Sequence, residues 1–291
     1  MAAQEPTFST ALNVVNVLAN VRDKKGRIIR DLNKDDFVIL EDGRPQTIRY
    51  FAAQSDLALI LGLMIDSSMS QARVITPERS ACFEFLDQVL RPQKDKAFLI
   101  QFDTNVLLKQ ELTSSWKDLN EALTTVDTPS RRELREHADG PGTLLYDALI
   151  KGSEIMLNQS GRKALIVMTD GVDEGSNADL AATIDAAQRA DALIYSILFT
   201  DTGFYSLAGG REGRGVLQRL SRETGGGFFE VSKKQNISQV FEVIQDELRS
   251  QYSLGYVSDQ AQTHLGFRKL QVKTKRKDLI VQARDRYYAR P

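Results

Sequence analysis

The sequence predicts an α/β protein built on a doubly wound, mostly parallel sheet, with a β segment at each end of the chain. Three observations carry that reading. Residues 57–65 and 164–168 are apolar without alternation, which marks strands buried on both faces of a parallel sheet. Stretches with helical periodicity alternate with such runs from residue 57 to about residue 250. Outside that region the pattern is one of short strands and turns.

Taken in order, residues 12–21 mix alternation with β-branched side chains and end at the turn Asp23-Lys24-Lys25-Gly26. Residues 37–40 read as a short strand, Glu41-Asp42-Gly43-Arg44-Pro45 as a turn, and 46–51 as another strand. After the first buried run, Ala81, Phe85, Leu86 and Val89 share one helical face. Strands at 97–102 and 106–112 follow, then helices at 116–123 and 144–157. Beyond the second buried run come a helix at 180–190, a strand at 193–199, a helix at 216–223, a strand at 228–231 and a helix at 240–248. The β pattern returns at 252–257, 269–274 and 280–284. The expected division is 1–56, 57–250 and 251–291. Two or three strands are marginal alone in water, so the first and last segments are expected to join in one small β-sandwich.

Composition narrows the function. Of 291 residues, 42% are hydrophobic, enough for a sizeable core. A net charge of −1 gives no support to a nucleic-acid partner. The single cysteine, Cys82, cannot form an intrachain disulfide, and its place in an apolar helical pattern reads as a buried, inert thiol. No stretch reaches the ~18–20 apolar residues that cross a bilayer. The opening Met1-Ala2-Ala3-Gln4-Glu5-Pro6 is compatible with a start methionine on a mature chain whose signal has been removed.

In doubly wound sheets, ligands bind beyond the carboxyl ends of the strands. Asp66-Ser67-Ser68-Met69-Ser70 follows the first buried run, Thr169-Asp170-Gly171 follows the second, and Gly142-Thr143 precedes a helix. Singly, the hydroxyls read as helix caps and Asp170-Gly171 as an ordinary turn. Together they set two carboxylates and three hydroxyls on one sheet edge. Such oxygens suit a hard cation: Mg²⁺, or Mn²⁺ or Ca²⁺. With i, i+2, i+4 spacing, Asp66, Ser68 and Ser70 point one way while Ser67 and Met69 point away. No His or Cys accompanies them, which disfavours zinc.

These three motifs resemble the metal-ion-dependent adhesion site of von Willebrand factor A domains, in the right order over roughly residues 57–248. The resemblance implies a mostly parallel sheet with one antiparallel edge strand. It also implies hydroxyl ligands from Ser68, Ser70 and Thr143, with Asp66 and Asp170 acting directly or through water. A position left open on the metal would take a carboxylate from a partner protein. Met69 departs from the pattern, standing where the family often has glycine. The flanking segments, with Asp35-Asp36-Phe37, Glu41-Asp42-Gly43 and Tyr252-Ser253-Leu254-Gly255-Tyr256, resemble a bacterial group related to this domain. Members of that group are usually exported, which implies a periplasmic, cell-surface or secreted location.

Catalysis finds less support. Asp66 after a buried strand is similar to the aspartyl nucleophile of phosphotransferases, but Ser68 stands where those enzymes have a second aspartate. Neither a Gly-x-Ser-x-Gly elbow nor a Gly-x-x-x-x-Gly-Lys-Ser/Thr loop is present. The glycine-rich stretch 209–215 reads as a mobile loop. His137 and His264 lie far apart in polar stretches, as solvated residues do. Asp173 and Glu174 read as solvated loop, and Lys273, Lys275, Arg276 and Lys277 as a solvated turn. The polar stretches 127–140 and 200–215 suit a recognition rim around the site. The expected function is divalent-cation-dependent protein binding, in adhesion or assembly, without enzymatic activity. The alternatives are a structural module with a vestigial site and a metal-assisted hydrolase.

Overall fold

A computed structural model describes residues 14–53, 57–129, 142–199, 209–232, 235–260 and 266–289. Eight strands come from the two ends of the chain. They are β1 (Val14–Asp23), β2 (Phe37–Glu41), β3 (Arg44–Gln46) and β4 (Ile48–Ala53), then β11 (Tyr252–Val257), β12 (Gly266–Thr274), β13 (Leu279–Ala283) and β14 (Arg286–Ala289). Between them run β5 (Leu59–Asp66), β6 (Lys96–Phe102), β7 (Val106–Thr113), β8 (Arg162–Thr169), β9 (Ala192–Leu198) and β10 (Phe228–Glu230). The helices are α1 (Ile75–Val89), α2 (Trp116–Thr124), α3 (Leu145–Leu157), α4 (Leu180–Arg189), α5 (Gly209–Thr224) and α6 (Ile237–Arg249).

The central sheet has the order β10-β9-β8-β5-β6-β7. Every pairing is parallel except β7 on β6, the antiparallel edge that the resemblance implies. All residues of β5, β8 and β9 are buried, which is why these runs show no alternation. Successive side chains of β5 serve two cores: Leu59, Leu61, Leu63 and Ile65 face α1, α2 and α6, while Ile60 and Met64 face α3, α4 and α5. Phe85 of α1 stacks on Phe241 of α6 with centroids 4.4 Å apart. Cys82 is fully buried, as its pattern predicts.

The end segments form two four-stranded antiparallel sheets, β13-β1-β11-β4 and β14-β12-β2-β3, each mixing strands from both ends. Between them lie Val17, Ile39, Tyr252, Leu254, Tyr256 and Leu270. Buried Glu41 accepts from Tyr256 Oη (2.6 Å), Tyr287 Oη (2.9 Å), Ser258 Oγ (2.6 Å) and Arg268 Nη1 (3.2 Å). The α6 helix passes into β11 through Ser250 and Gln251. Its Glu247 is held by Arg22 of β1 and by Gln282 Nε2 of β13 at 3.0 Å.

Two details differ from the sequence reading. Residues 209–215 are the first turns of α5 rather than a loop. The short strands β3 and β14 are additions to the expected set. Among the described residues no helix is long and apolar enough to cross a membrane.

Candidate metal centre

β5 and β8 are neighbours in the sheet, with Ile65 opposite Met168, so the residues that follow each strand emerge side by side. Asp66 is fully buried; its Oδ1 accepts from Ser68 N at 2.9 Å and its Oδ2 from Thr169 Oγ1 at 2.5 Å. Ser68 Oγ and Ser70 Oγ lie 3.0 Å apart. Ser67 turns the other way, as expected, and its Oγ donates to Asp103 Oδ2 at 2.8 Å. Met69 stands exposed at the rim. The capping alternative is not realised: neither Ser68 before its 3-10 turn nor Val74 before α1 makes a side-chain cap bond.

Asp170 Oδ1 accepts from Val172 N at 3.0 Å, whereas its Oδ2 is buried with no hydrogen-bond partner. Thr143 exchanges backbone hydrogen bonds with Glu174 (3.0 and 2.9 Å), which anchors it to the turn that follows Asp170. A Cβ on Gly142 would lie 2.7 Å from the Glu174 carbonyl, so this approach requires glycine. Leu144 N donates to the Asp103 carbonyl at 2.8 Å, tying the same segment to the end of β6. Asp173 Oδ1 accepts from Tyr146 N at the start of α3 (3.0 Å) and from Ser176 Oγ (2.6 Å), a structural task in place of a solvated one.

Burial, together with the negative charge of Asp170, pushes the Asp66 carboxyl up to about 7 against hydrogen bonds from Ser68 and Thr169. Glu78 in α1 is fully buried, and both of its carboxylate oxygens are without partners. Burial and then Asp66 push it well above the carboxylate range. Among the described residues no group of three or more His, Cys, Asp or Glu is placed to hold a metal. A cation here would therefore rest on hydroxyls as much as on carboxylates. The buried Asp170 Oδ2 and the paired serine hydroxyls are oxygen donors suited to one.

No protein-family model matches this sequence, and no curated protein matches it. Solved structures do. Proximal thread matrix protein 1 from the mussel byssus, described with a zinc-occupied MIDAS motif, superposes with a TM-score of 0.54 at 17% identity. That match covers 73% of this chain and 50% of the other. The vWF domain of the type V pili tip protein Mfa5 from Porphyromonas gingivalis gives a TM-score of 0.50 at 12% identity, over 66% of this chain and 95% of that one. The central unit has the von Willebrand factor A fold.

Within that A-type fold, two supports of the site escape the motif reading. Asp103 follows β6 on the same carboxyl edge as Asp66 and Asp170 and orients Ser67; an acid directly after an apolar strand was the available signal. The start of α5 is the other. Gly213 packs on the Asp170-Gly171 turn so closely that a Cβ on either glycine would collide with the opposite backbone, and Gly171 itself has φ +83°. His137 and His264, residues 130–140 of one expected rim and 200–208 of the other lie outside the described residues.

Proposed function

We propose that this protein is a divalent-cation-dependent protein-binding module of adhesion or assembly type. Asp66, Ser68, Ser70, Thr143 and Asp170 would hold Mg²⁺, or Mn²⁺ or Ca²⁺. The observation that carries the reading is the buried, partnerless Asp170 Oδ2 beside a buried Asp66 whose ionised form is disfavoured without a counter-charge. A divalent ion held by two carboxylates and neutral hydroxyls retains attraction for a further anionic oxygen, and an acidic side chain of a partner protein would supply it. The exposed Met69 and the loops at this edge give the partner its rim. The reading includes an exported location and no catalytic role.

Calorimetric titration with Mn²⁺ tests the ligand set: wild type should give a binding isotherm and Asp66→Ala none. Partner capture from an extract of the source organism, with Mg²⁺ and with EDTA, tests the mode of binding. A partner held equally in both conditions would place its contact elsewhere.

A further inference from the structure

One carboxylate behind the candidate metal centre has no structural task. Glu78, in the first turn of α1, is completely buried, and among the described residues neither of its oxygens meets a hydrogen-bond donor. It does not cap its helix. Val74 is the residue before α1, so Glu78 stands one position beyond the place from which a glutamate closes a capping box. Burying a carboxyl group without a partner is costly in either protonation state, so an acid here weakens the metal-free protein. An apolar side chain would suit the face of α1 that buries Ala81, Cys82, Phe85 and Leu86.

The packing of α1 on the sheet brings this acid level with the site. Cys82 Sγ lies 3.7 Å from Met168 Sδ of β8. Because α1 links the parallel neighbours β5 and β6, it runs against the strand direction. From Cys82 back to Glu78 is one helical turn, roughly 6 Å at ~1.5 Å per residue. From Met168 forward to Asp170 is two residues, roughly 7 Å at ~3.3 Å per residue. The two steps agree in length and direction, so Glu78 faces the carboxyl edge at the height of Asp170. The charge that acts on it there is that of Asp66, of the same sign.

Gln71 repeats the pattern next to Ser70. It is 2% exposed, its Nε2 donates to Ser70 Oγ at 3.3 Å, and its Oε1 is buried without a partner. With Asp170 Oδ2, these residues contribute four orphan oxygens, all of them acceptors. A positive charge is what this region lacks. We propose that Glu78 is a third carboxylate of the metal centre, which acts on the bound cation by its charge without ligating it and biases the site toward ions of higher charge. This rests on the reading of the site as a divalent-cation site. Since Glu78 is buried, salt screens its attraction far less than that of a surface acid. The same charge tempers the pull of the metal on a partner's carboxylate, so the metal is held tightly and the partner reversibly.

The test is calorimetric titration of the full chain at pH 7 with Mn²⁺ and with Tb³⁺, joined to thermal unfolding in EDTA. Coulomb energy scales with ionic charge, so Glu78→Gln should weaken Mn²⁺ about tenfold and Tb³⁺ about thirtyfold. Its metal-free Tm should equal or exceed that of wild type. Glu78→Met, apolar and of similar length, removes the same charge and should show the same ratio between the ions. Cys82→Ala, a packing change one turn away, should leave both affinities at the wild-type level. Unchanged affinities in Glu78→Gln, equal losses for the two ions, or the same losses in Cys82→Ala would overturn the inference while the metal reading stands. A wild type that binds neither ion would overturn both.

Discussion

Gly213 of α5 rests against the backbone carbonyl of Asp170, with no room between them for a side chain. The helix thus buttresses the turn that presents Asp170 Oδ2. Gly213→Ala should displace that turn and weaken Mn²⁺ binding about tenfold or more, although no ligand is changed. Gly215 has open space around it in the same helix. Gly215→Ala should leave metal binding unchanged and stabilise the protein by about 0.5–1 kcal/mol. Calorimetry and thermal unfolding of the two variants decide the matter; equal Mn²⁺ affinity in Gly213→Ala would remove α5 from the account.

Asp66 gives a pH dependence with a definite sign. Its pKa rises from 3.8 to about 7 on folding, so the folded, metal-free protein holds this proton more tightly than the unfolded chain does. The resulting stabilisation is complete below pH ~3.8 and is lost as pH rises through about 7. Glu78 shifts in the same direction. In EDTA, Asp66→Asn should therefore unfold several degrees above wild type at pH 8, with the gap closing toward pH 5. Saturating Mg²⁺ should narrow the gap at pH 8 from the wild-type side. A metal-free wild type no less stable than Asp66→Asn at pH 8 would contradict the assignment.

Thr143 is held by its backbone, through the two hydrogen bonds with Glu174, so removal of its hydroxyl leaves that bridge intact. Thr143→Ala should lower metal and partner affinity by about tenfold while the metal-free Tm moves by less than a degree or two. A drop in metal-free Tm as large as that of a core truncation would make Thr143 a structural residue instead.

Residues 14–53 and 252–289 should be inseparable. β1 lies between β13 and β11, and β2 between β12 and β3, so removal of residues 1–55 takes the middle from both sheets. The product should expose Tyr252, Leu254 and Leu270 and aggregate. A truncated chain that unfolds cooperatively and stays monodisperse in sedimentation would show that the sandwich is not shared.

Much of this was readable before any coordinates. Residues 59–66 and 162–169 announce themselves because strands covered on both faces have no polar side, and the ligand candidates stand directly after them. What stayed hidden depends on neighbours distant in sequence. β3 is Arg44-Pro45-Gln46, whose composition spells turn, and it is a strand only because β2 pairs with it. The start of α5 reads as a loop because four of residues 209–215 are glycine; close packing on Asp170 is the reason for Gly213. Glu78 occupies a helical position that periodicity assigns to the core, where an acid gives no signal until its surroundings are known. The cavity of about 530 Å³ between the central unit and the sandwich is assembled from seven separate stretches of chain and has no local signature at all.

The interleaving of the two end segments also sets an order of events during synthesis. Val14 pairs with Val257 and Ala19 with Ala283, so β1 cannot find either neighbour until the whole central unit has been made. At about 5–20 residues per second that delay is on the order of ten to fifty seconds. The central unit has all of its strands and helices in hand before β11 appears, and it can fold in that interval. Val17, Ala19 and Val21 meanwhile wait with an apolar face and two unpaired edges, the state in which nascent chains attract one another or a chaperone. Closure of the sandwich comes after the central unit, and a chain stalled or shortened before β11 would carry a finished central unit on an unfinished, sticky base.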